Sequence, residues 1–400
     1  MLPGPATDRE TLEGWQRWRT TRHDFVPAPR LDLAAYQALS PRRQALHDLH
    51  RAATHANLRL QETPMSRKVT TAMRARIQSN ALKTKPTTRA GLMINGGGYQ
   101  GKTETVCEAA AAFEDFWRDL HRELNPDAIP GTRDLHAPVA YVQTPVTAKP
   151  KSLCEAVLGF YSSPLGYRPT LPQLIRSVRD SLHAHGTRVL IIDDVTRLKM
   201  HREADQDTLD LLRSLMSMNV TLIMVGVGIP QSGLLREGRH DARTGQWIVT
   251  GRPGRFNDEA ATQTQRRFDL IDLNPFDYST PTAITAWTQH LTGIENQLRL
   301  LRTPHGMLTT GTMPEYLFGR TAGIVGLLER LIEDGCTEAI ESGHEHLDIE
   351  LLDRIDIDLG NDGHHAPAAG EIPTVPDNSR RRGRNRVFDD HGPAADQTAG

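Results

Sequence analysis

The sequence predicts an α/β protein, with a doubly wound parallel-sheet core, a helical extension before it, and a helical lid and disordered tail after it. Three observations carry this prediction. Short apolar strands alternate with helical patterns between residues 90 and 275. From Thr282 onward the pattern is all helical. The last 41 residues, Gly360–Gly400, are rich in Gly, Pro, Ala and charge and poor in large apolar side chains, a composition that cannot bury enough surface to order itself.

Residues 1–35 read as irregular, with prolines at 3, 5, 27 and 29 around Trp15 and Trp18. Ser40 followed by Pro41 is a helix start, because proline lacks an N–H where the first turn has no use for one. Leu46, Leu49, Ala53 and Ala56 then mark its apolar face. A second helix spans Met65–Leu82 with Val69, Met73 and Ile77 inward. These two helices make up the extension.

In the core, strands are predicted at Gly91–Asn95, Val139–Gln143, Val189–Ile192, Thr221–Val225 and Phe268–Leu273. Val189–Ile192 is apolar throughout, as in a strand buried on both faces of a parallel sheet. Helices fall at Glu104–Leu120, Lys151–Tyr161, Leu171–His185 and Thr208–Met218. The lid helices are placed at 282–303, 313–318, 322–341 and 347–354. The resulting domains are 1–88, 89–278 and 279–358, with a tail over 359–400. There are no internal repeats, and the tail's run Arg380–Arg386 is a short basic stretch offset by acids nearby.

Composition narrows the function. The chain has 400 residues, 38% hydrophobic and 24% charged, which is ordinary for a globular protein. No run approaches the length of a membrane-spanning helix, and the N-terminus lacks a secretory pattern. Cys107, Cys154 and Cys336 are odd in number and widely spaced, which argues against disulfides or a zinc ribbon and for buried fillers in a reducing cytoplasm. The net charge of −2 hides an asymmetry, since from Thr63 to Thr103 there are eight basic residues and no acidic one. Arg67, Lys68, Arg74, Arg76, Lys83 and Lys85 in that stretch are either a polyanion contact or a solvated face.

The segment Gly96–Gly97–Gly98–Tyr99–Gln100–Gly101–Lys102–Thr103 matches G-x-x-x-x-G-K-[ST], with a strand before it and a helix after it. Its glycines let backbone N–H groups turn toward phosphates at a helix N-terminus that opens at Glu104. Lys102 would reach the β- and γ-phosphates, and the Thr103 hydroxyl would ligate Mg²⁺. Such a loop needs a metal-holding carboxylate on a neighbouring strand, and Val189–Ile192 ends in Asp193 and Asp194. Asp193 stands where a carboxylate holds Mg²⁺, and Asp194 where one orients the attacking water. Many ring-forming ATPases have Glu at the second position, and the shorter Asp194 predicts slow hydrolysis. Arg266 and Arg267, just before the last strand, are candidates for an arginine offered to a neighbouring subunit, Arg267 first. His344 and His346 flank a glutamate with no third ligand at metal spacing, and His364–His365 lie in the tail, so both pairs read as solvated. No nucleophilic triad is recognisable.

With these residues in place, the chain resembles the AAA+ ATPases that assist DNA transposases, the TniB and TnsC type, with MuB more distant. The resemblance runs from Gln61 to Asp356. It rests on Glu62–Met65 before the basic helix and P-loop, on Ala137–Pro145, on the Walker B segment Ile191–Leu198, on Met224–Gly228 and on Phe318–Leu331. It departs in two places. Gly226, Val227 and Gly228 stand where these ATPases carry a polar sensor, and Gly326 stands near the usual lid arginine, for which Arg320 is the nearby candidate.

The resemblance implies an ATP- and Mg²⁺-dependent AAA+ regulator that self-associates into a ring or filament on duplex DNA and recruits a DDE transposase. Two alternatives share the site: a helicase loader or replication or repair ATPase, and a signalling or defence NTPase switch that contacts no DNA. The preference for ATP over GTP also comes from the resemblance, because a P-loop holds phosphates and does not read the base.

Overall fold

The computed structural model describes residues 6–127, 136–146, 149–164, 166–198, 206–232, 238–241, 246–249 and 267–357. The predicted tail and Arg266 lie outside these residues. Before the sheet come α1 (Leu12–Thr21), α2 (Leu33–Gln37), α3 (Pro41–His55) and α4 (Pro64–Ala81). Then follow β1 (Gly91–Asn95), α5 (Lys102–Leu124), β2 (Val139–Gln143), α6 (Pro150–Phe160), α7 (Leu171–Ala184) and β3 (Val189–Asp193). After them come α8 (Gln206–Met216), β4 (Thr221–Gly226), β5 (Gly238–Asp241), β6 (Gln246–Val249) and β7 (Phe268–Asp272). The chain closes with α9 (Pro281–Glu295), α10 (Met313–Thr321), α11 (Val325–Glu341) and α12 (Ile349–Leu352). Among the described residues no helix is long and apolar enough to cross a membrane.

Contacts divide the chain into two units. The sheet unit comprises Pro5–His23 and Pro64–Asn274; the helical unit gathers Asp24–Thr63 and the residues from Pro275 onward. Residues before β1 are thus shared, with α1 and α4 in the sheet unit and α2 and α3 in the helical one.

Five parallel strands in the order β2-β3-β4-β1-β7 form the main sheet. The antiparallel pair β5-β6, which the sequence reading did not anticipate, lies apart from it. β3 is not beside β1, as the P-loop argument supposed, because β4 lies between them. Leu92, Met93 and Ile94 of β1 and Val189–Ile192 of β3 are buried, as their apolar runs require. Two groups of helices pack on this sheet, α1, α4 and α5 in one and α6, α7 and α8 in the other. Val69, Met73 and Ile77 of α4 are fully enclosed, each contributing about 1.5–3 kcal/mol by removal from water.

Residues 1–35 are not irregular throughout. Thr11 caps α1 by accepting from the Gly14 N–H, and Asp32 caps α2 in the same way. Trp15 is buried, donating Nε1–H to Glu114 at 2.9 Å and stacking on Tyr141. Arg19 and Arg118 neutralise Glu114, and Arg22 reaches Glu108 and Asp115. The prolines flank these short helices without interrupting them. The three cysteines are free and buried.

The buried face of α3 is not the predicted one. Leu46 and Leu49 are 59% and 49% exposed, whereas Arg51 is 0% exposed, and His47, Thr54 and His55 are also buried. The helical unit uses this polar face because it supplies partners for the Arg51 fork and for His55 Nε2. Arg51 donates to both Glu345 oxygens, at 2.6 and 3.0 Å, and to Asp48 at 2.6 Å. His55 is pushed down to about 4, by burial first and then by the Arg51 and Arg299 charges, and its neutral Nε2 accepts from the Arg299 N–H. Arg51→Ala leaves Glu345 as an unpaired buried charge and will cost about 3–5 kcal/mol, whereas Leu46→Ser will change stability by no more than about 0.5 kcal/mol. Urea unfolding followed by circular dichroism measures both, and the reverse ranking would restore the leucine face.

Candidate nucleotide site

The site forms where β1 and β3 end at the carboxyl edge of the sheet. The loop after β1 runs over Gly96–Gly101 into α5. Two of its glycines are required. A Cβ on Gly96 would lie 2.5 Å from the Leu273 carbonyl oxygen, and Gly101 has φ +71°. Tyr99, also left-handed, points outward and is exposed. Gln100 is buried, and its Oε1 has no hydrogen-bond partner among the described residues.

Lys102 opens α5 and is nearly buried, with Nζ donating to the Gly97 carbonyl at 2.5 Å. Burial lowers its pKa, against the opposing pull of the Asp193 and Asp194 charges. Thr103 Oγ1 donates to Asp193 Oδ2 at 2.7 Å, across the intervening β4. The same oxygen accepts from Tyr141 Oη at 2.9 Å, and Oδ1 accepts from the Asp194 N–H at 2.8 Å. Burial, and then the nearby Asp193 charge, keeps the Tyr141 hydroxyl protonated by raising its pKa.

Asp194 adopts φ +51°, a region that Asp tolerates better than most residues. The turn directs its carboxylate to Gln143 Nε2 at 3.0 Å and Arg197 at 2.9 Å. Arg197 also donates to the Thr144 carbonyl. Gln143, Tyr141 and Arg197 were not singled out from the sequence. The usable signal was register: β2 and β3 pair in parallel with Gln143 opposite Asp193.

The N-terminal arm reaches this region as well. Arg9 grips both oxygens of Glu104, at 2.6 and 3.1 Å, and its guanidinium lies over the Trp18 and Tyr141 rings. Burial, and then the Asp8 charge, raises the neighbouring Glu10 carboxyl above its usual value. Asn95 ties the strand ends together, donating to Asp272 and accepting from the Ile229 N–H.

Of the remaining predicted residues, Arg267 and the basic stretch lie away from this cluster, and Arg320 belongs to the helical unit. Arg267 lies at the start of β7, where its carbonyl accepts from the Gly91 N–H. Five strand residues, about 17 Å at the usual rise, separate that end of the sheet from the P-loop. Arg320 is buried in the helical unit, donating to Tyr316 Oη and to the Leu352 and Ile355 carbonyls. In the basic stretch Lys68, Arg74 and Lys85 are exposed, Lys83 bonds Asn80, Arg76 pairs with Asp269 on β7, and Arg67 lies on the exposed side of α4.

The donor set suits a magnesium nucleotide. Thr103 and Asp193 offer the hard oxygens that Mg²⁺ prefers, Lys102 offers a cation, and the cradle at Gly96 has no room for a side chain. Residues 97–230 match the family model of the AAA domain. The matched stretch is an AAA+ P-loop domain. No curated protein matches the chain. Among solved structures, domain III of the Thermotoga maritima replication initiation protein DnaA is 14% identical, with a TM-score of 0.40, covering 73% of this chain and 91% of that one. The Aeropyrum pernix ORC1 protein in complex with DNA is 11% identical, with a TM-score of 0.47, covering 74% and 66% respectively. AMPPCP-bound DnaA from Aquifex aeolicus is 12% identical, with a TM-score of 0.36, covering 70% and 62%.

Gly96→Ala drives a methyl group into the Leu273 backbone. An overpacking cost of about 1–3 kcal/mol, if borne by the bound state, will weaken a fluorescent non-hydrolysable ATP analogue about five- to hundredfold. A Cβ on Gly98 meets nothing within 4 Å, so Gly98→Ala will bind within about twofold of the parent. No loss in either variant would mean that the phosphates are held elsewhere.

Proposed function

We propose that this chain is an ATP-dependent AAA+ regulator that assembles on duplex DNA, recruits or activates a DDE transposase, and releases through slow hydrolysis. The observation that carries the nucleotide part is the Thr103–Asp193 hydrogen bond at the start of α5, beside the enclosed Lys102, whose pKa burial lowers. When bound, ATP–Mg²⁺ supplies the phosphoryl group and the charge that these residues are placed to hold. Lys102, which donates to the Gly97 carbonyl here, would supply its charge to phosphate oxygens, and Thr103 and Asp193 would hold the metal.

Slow turnover follows from Asp194. Its carboxylate is the candidate for orienting water, but Arg197 and Gln143 restrain it. Freeing the carboxylate removes a partly exposed ion pair worth up to about 1 kcal/mol, so Arg197→Ala will raise steady-state ATP hydrolysis about fivefold. A fall in rate would instead make Arg197 part of the hydrolytic machinery. Arg267, at the far edge of the sheet, serves a neighbouring subunit in this reading, with Arg266 beside it.

DNA contact rests on the stretch from Arg67 to Lys85, where Lys68, Arg74 and Lys85 stand in solvent. Such contacts read phosphate rather than sequence. The transposase as client rests on the resemblance of the chain's segments to the TniB and TnsC type, and a replication or repair client is the second reading of the same site. The deciding experiment is anisotropy of a labelled duplex titrated with protein in ATP–Mg²⁺, a non-hydrolysable analogue, ADP and no nucleotide. Binding will require ATP or the analogue, and six phosphate contacts will make it about a thousandfold weaker between 50 and 200 mM salt. Absence of binding in every state would leave a protein-directed switch. Binding, with no transposase encoded beside the gene, would favour the replication or repair client.

A further inference from the structure

The two histidines that lacked a third ligand in the sequence acquire one in the helical unit. The turn between α11 and α12 brings His344, His346 and Asp348 together, with one ligand atom from each within 4.8 Å of the others. His344 Nε2 lies 2.7 Å and His346 Nε2 3.3 Å from the same atom, Asp348 Oδ2. We propose that these three residues bind one divalent transition-metal ion of the zinc type.

The surrounding hydrogen bonds already orient two of the three donors. His346 Nδ1 lies 3.0 Å from the His344 carbonyl oxygen. A carbonyl can only accept, so Nδ1 carries a proton, and in the neutral ring the Nε2 lone pair is the one that faces Asp348. This is the arrangement in which a ligating histidine donates its other N–H to a fixed acceptor. Asp348 Oδ1 is committed as the cap of α12, accepting from the Leu351 N–H at 2.8 Å, so Oδ2 alone faces the rings.

The chemistry of the set selects the ion. Two imidazoles and a carboxylate suit zinc and its neighbours and not Mg²⁺ or Ca²⁺, which take oxygen ligands. Bonds of about 2.0–2.2 Å in a tetrahedron hold adjacent ligand atoms about 3.3 Å apart. The His346–Asp348 pair already has that separation. His344 must retreat by about half an ångström and turn out of its stack on His346, where the ring centroids lie 3.9 Å apart. Its side chain is 41% exposed and has room to move.

A bound ion also has something to brace. Between the two histidines Glu345 adopts φ +62°, and its buried carboxylate accepts from Arg51 and from the Leu301 N–H. Pinning its two neighbours to Asp348 holds that strained residue where Arg51 needs it. The ion's role is therefore to fasten the turn.

The test uses the untagged full-length chain, stripped with a chelator and held in excess Mg²⁺ to occupy oxygen sites. It is titrated with Co²⁺, read by visible absorption, and separately with Zn²⁺, read by the thermal unfolding midpoint. One equivalent of Co²⁺ should bind with the intense spectrum of a four-coordinate ion, and one equivalent of Zn²⁺ should raise the midpoint. His346→Asn, and Asp348→Asn, which retains a capping oxygen, should each weaken binding at least tenfold and abolish the rise in midpoint. A His364→Asn, His365→Asn double variant in the tail should behave like the parent. The proposal is overturned if the parent binds no such equivalent, if His346→Asn and Asp348→Asn bind as tightly as the parent, or if the tail variant alone removes the signal.

Discussion

Asp193 receives hydrogen bonds from several directions, and the arrangement around the P-loop follows from that. Its carboxylate accepts from Thr103 at the start of α5, from Tyr141 on β2 and from the Asp194 N–H, while its carbonyl accepts from the backbone and hydroxyl of Thr144. A buried carboxylate is tolerable only when its oxygens are satisfied. Each partner is therefore fixed in place by the same charge, and elements up to 90 residues apart in sequence converge on it. The parallel register makes this possible, since a slip of one residue in β3 would turn Asp193 to the other face and release all of them.

Asp194, its immediate neighbour, shows how one peptide unit can separate two carboxylates. The left-handed turn at Asp194 carries it away from Thr103 toward Gln143 and Arg197. One acid is thereby enclosed and committed, and the other remains near the surface with a partner it can exchange. The sequence assigns the two adjacent aspartates different roles, and the backbone angle at Asp194 is how the chain keeps them apart.

Most of the sheet was legible because buried parallel strands are continuous apolar runs with few alternatives, and β1 to β4 fall within a residue of their predicted limits. The P-loop and the Asp193–Asp194 pair were legible because phosphate chemistry restricts the residue types. What failed was assignment by apolar spacing where polar groups pack. On α3, Leu46 and Leu49 suggested a buried face, but Arg51 and Glu345 satisfy one another in the interior and outweigh that pattern. The helix α1 was hidden by flanking prolines, although Thr11 and Trp15 were visible as a cap and an anchor. Asp348, two residues after His346, was overlooked because this H-x-H-x-D spacing converges only through the turn at Glu345. β5 carries no apolar run, and that of β6 is only three residues long, Trp247–Val249.

The grip of Arg9 on Glu104 bears on the electric field at the loop. Glu104 stands in the first turn of α5, a favourable place for an acid in an isolated helix. There it would also confront any polyanion approaching the same helix end. Arg9, 95 positions upstream, cancels that charge and is held in place by the aromatic rings around it. The affinity of the cradle for anions is thus set partly by an arm outside the loop. A P-loop domain cut to begin at its first strand would keep every residue of the motif and present an uncompensated negative charge beside it.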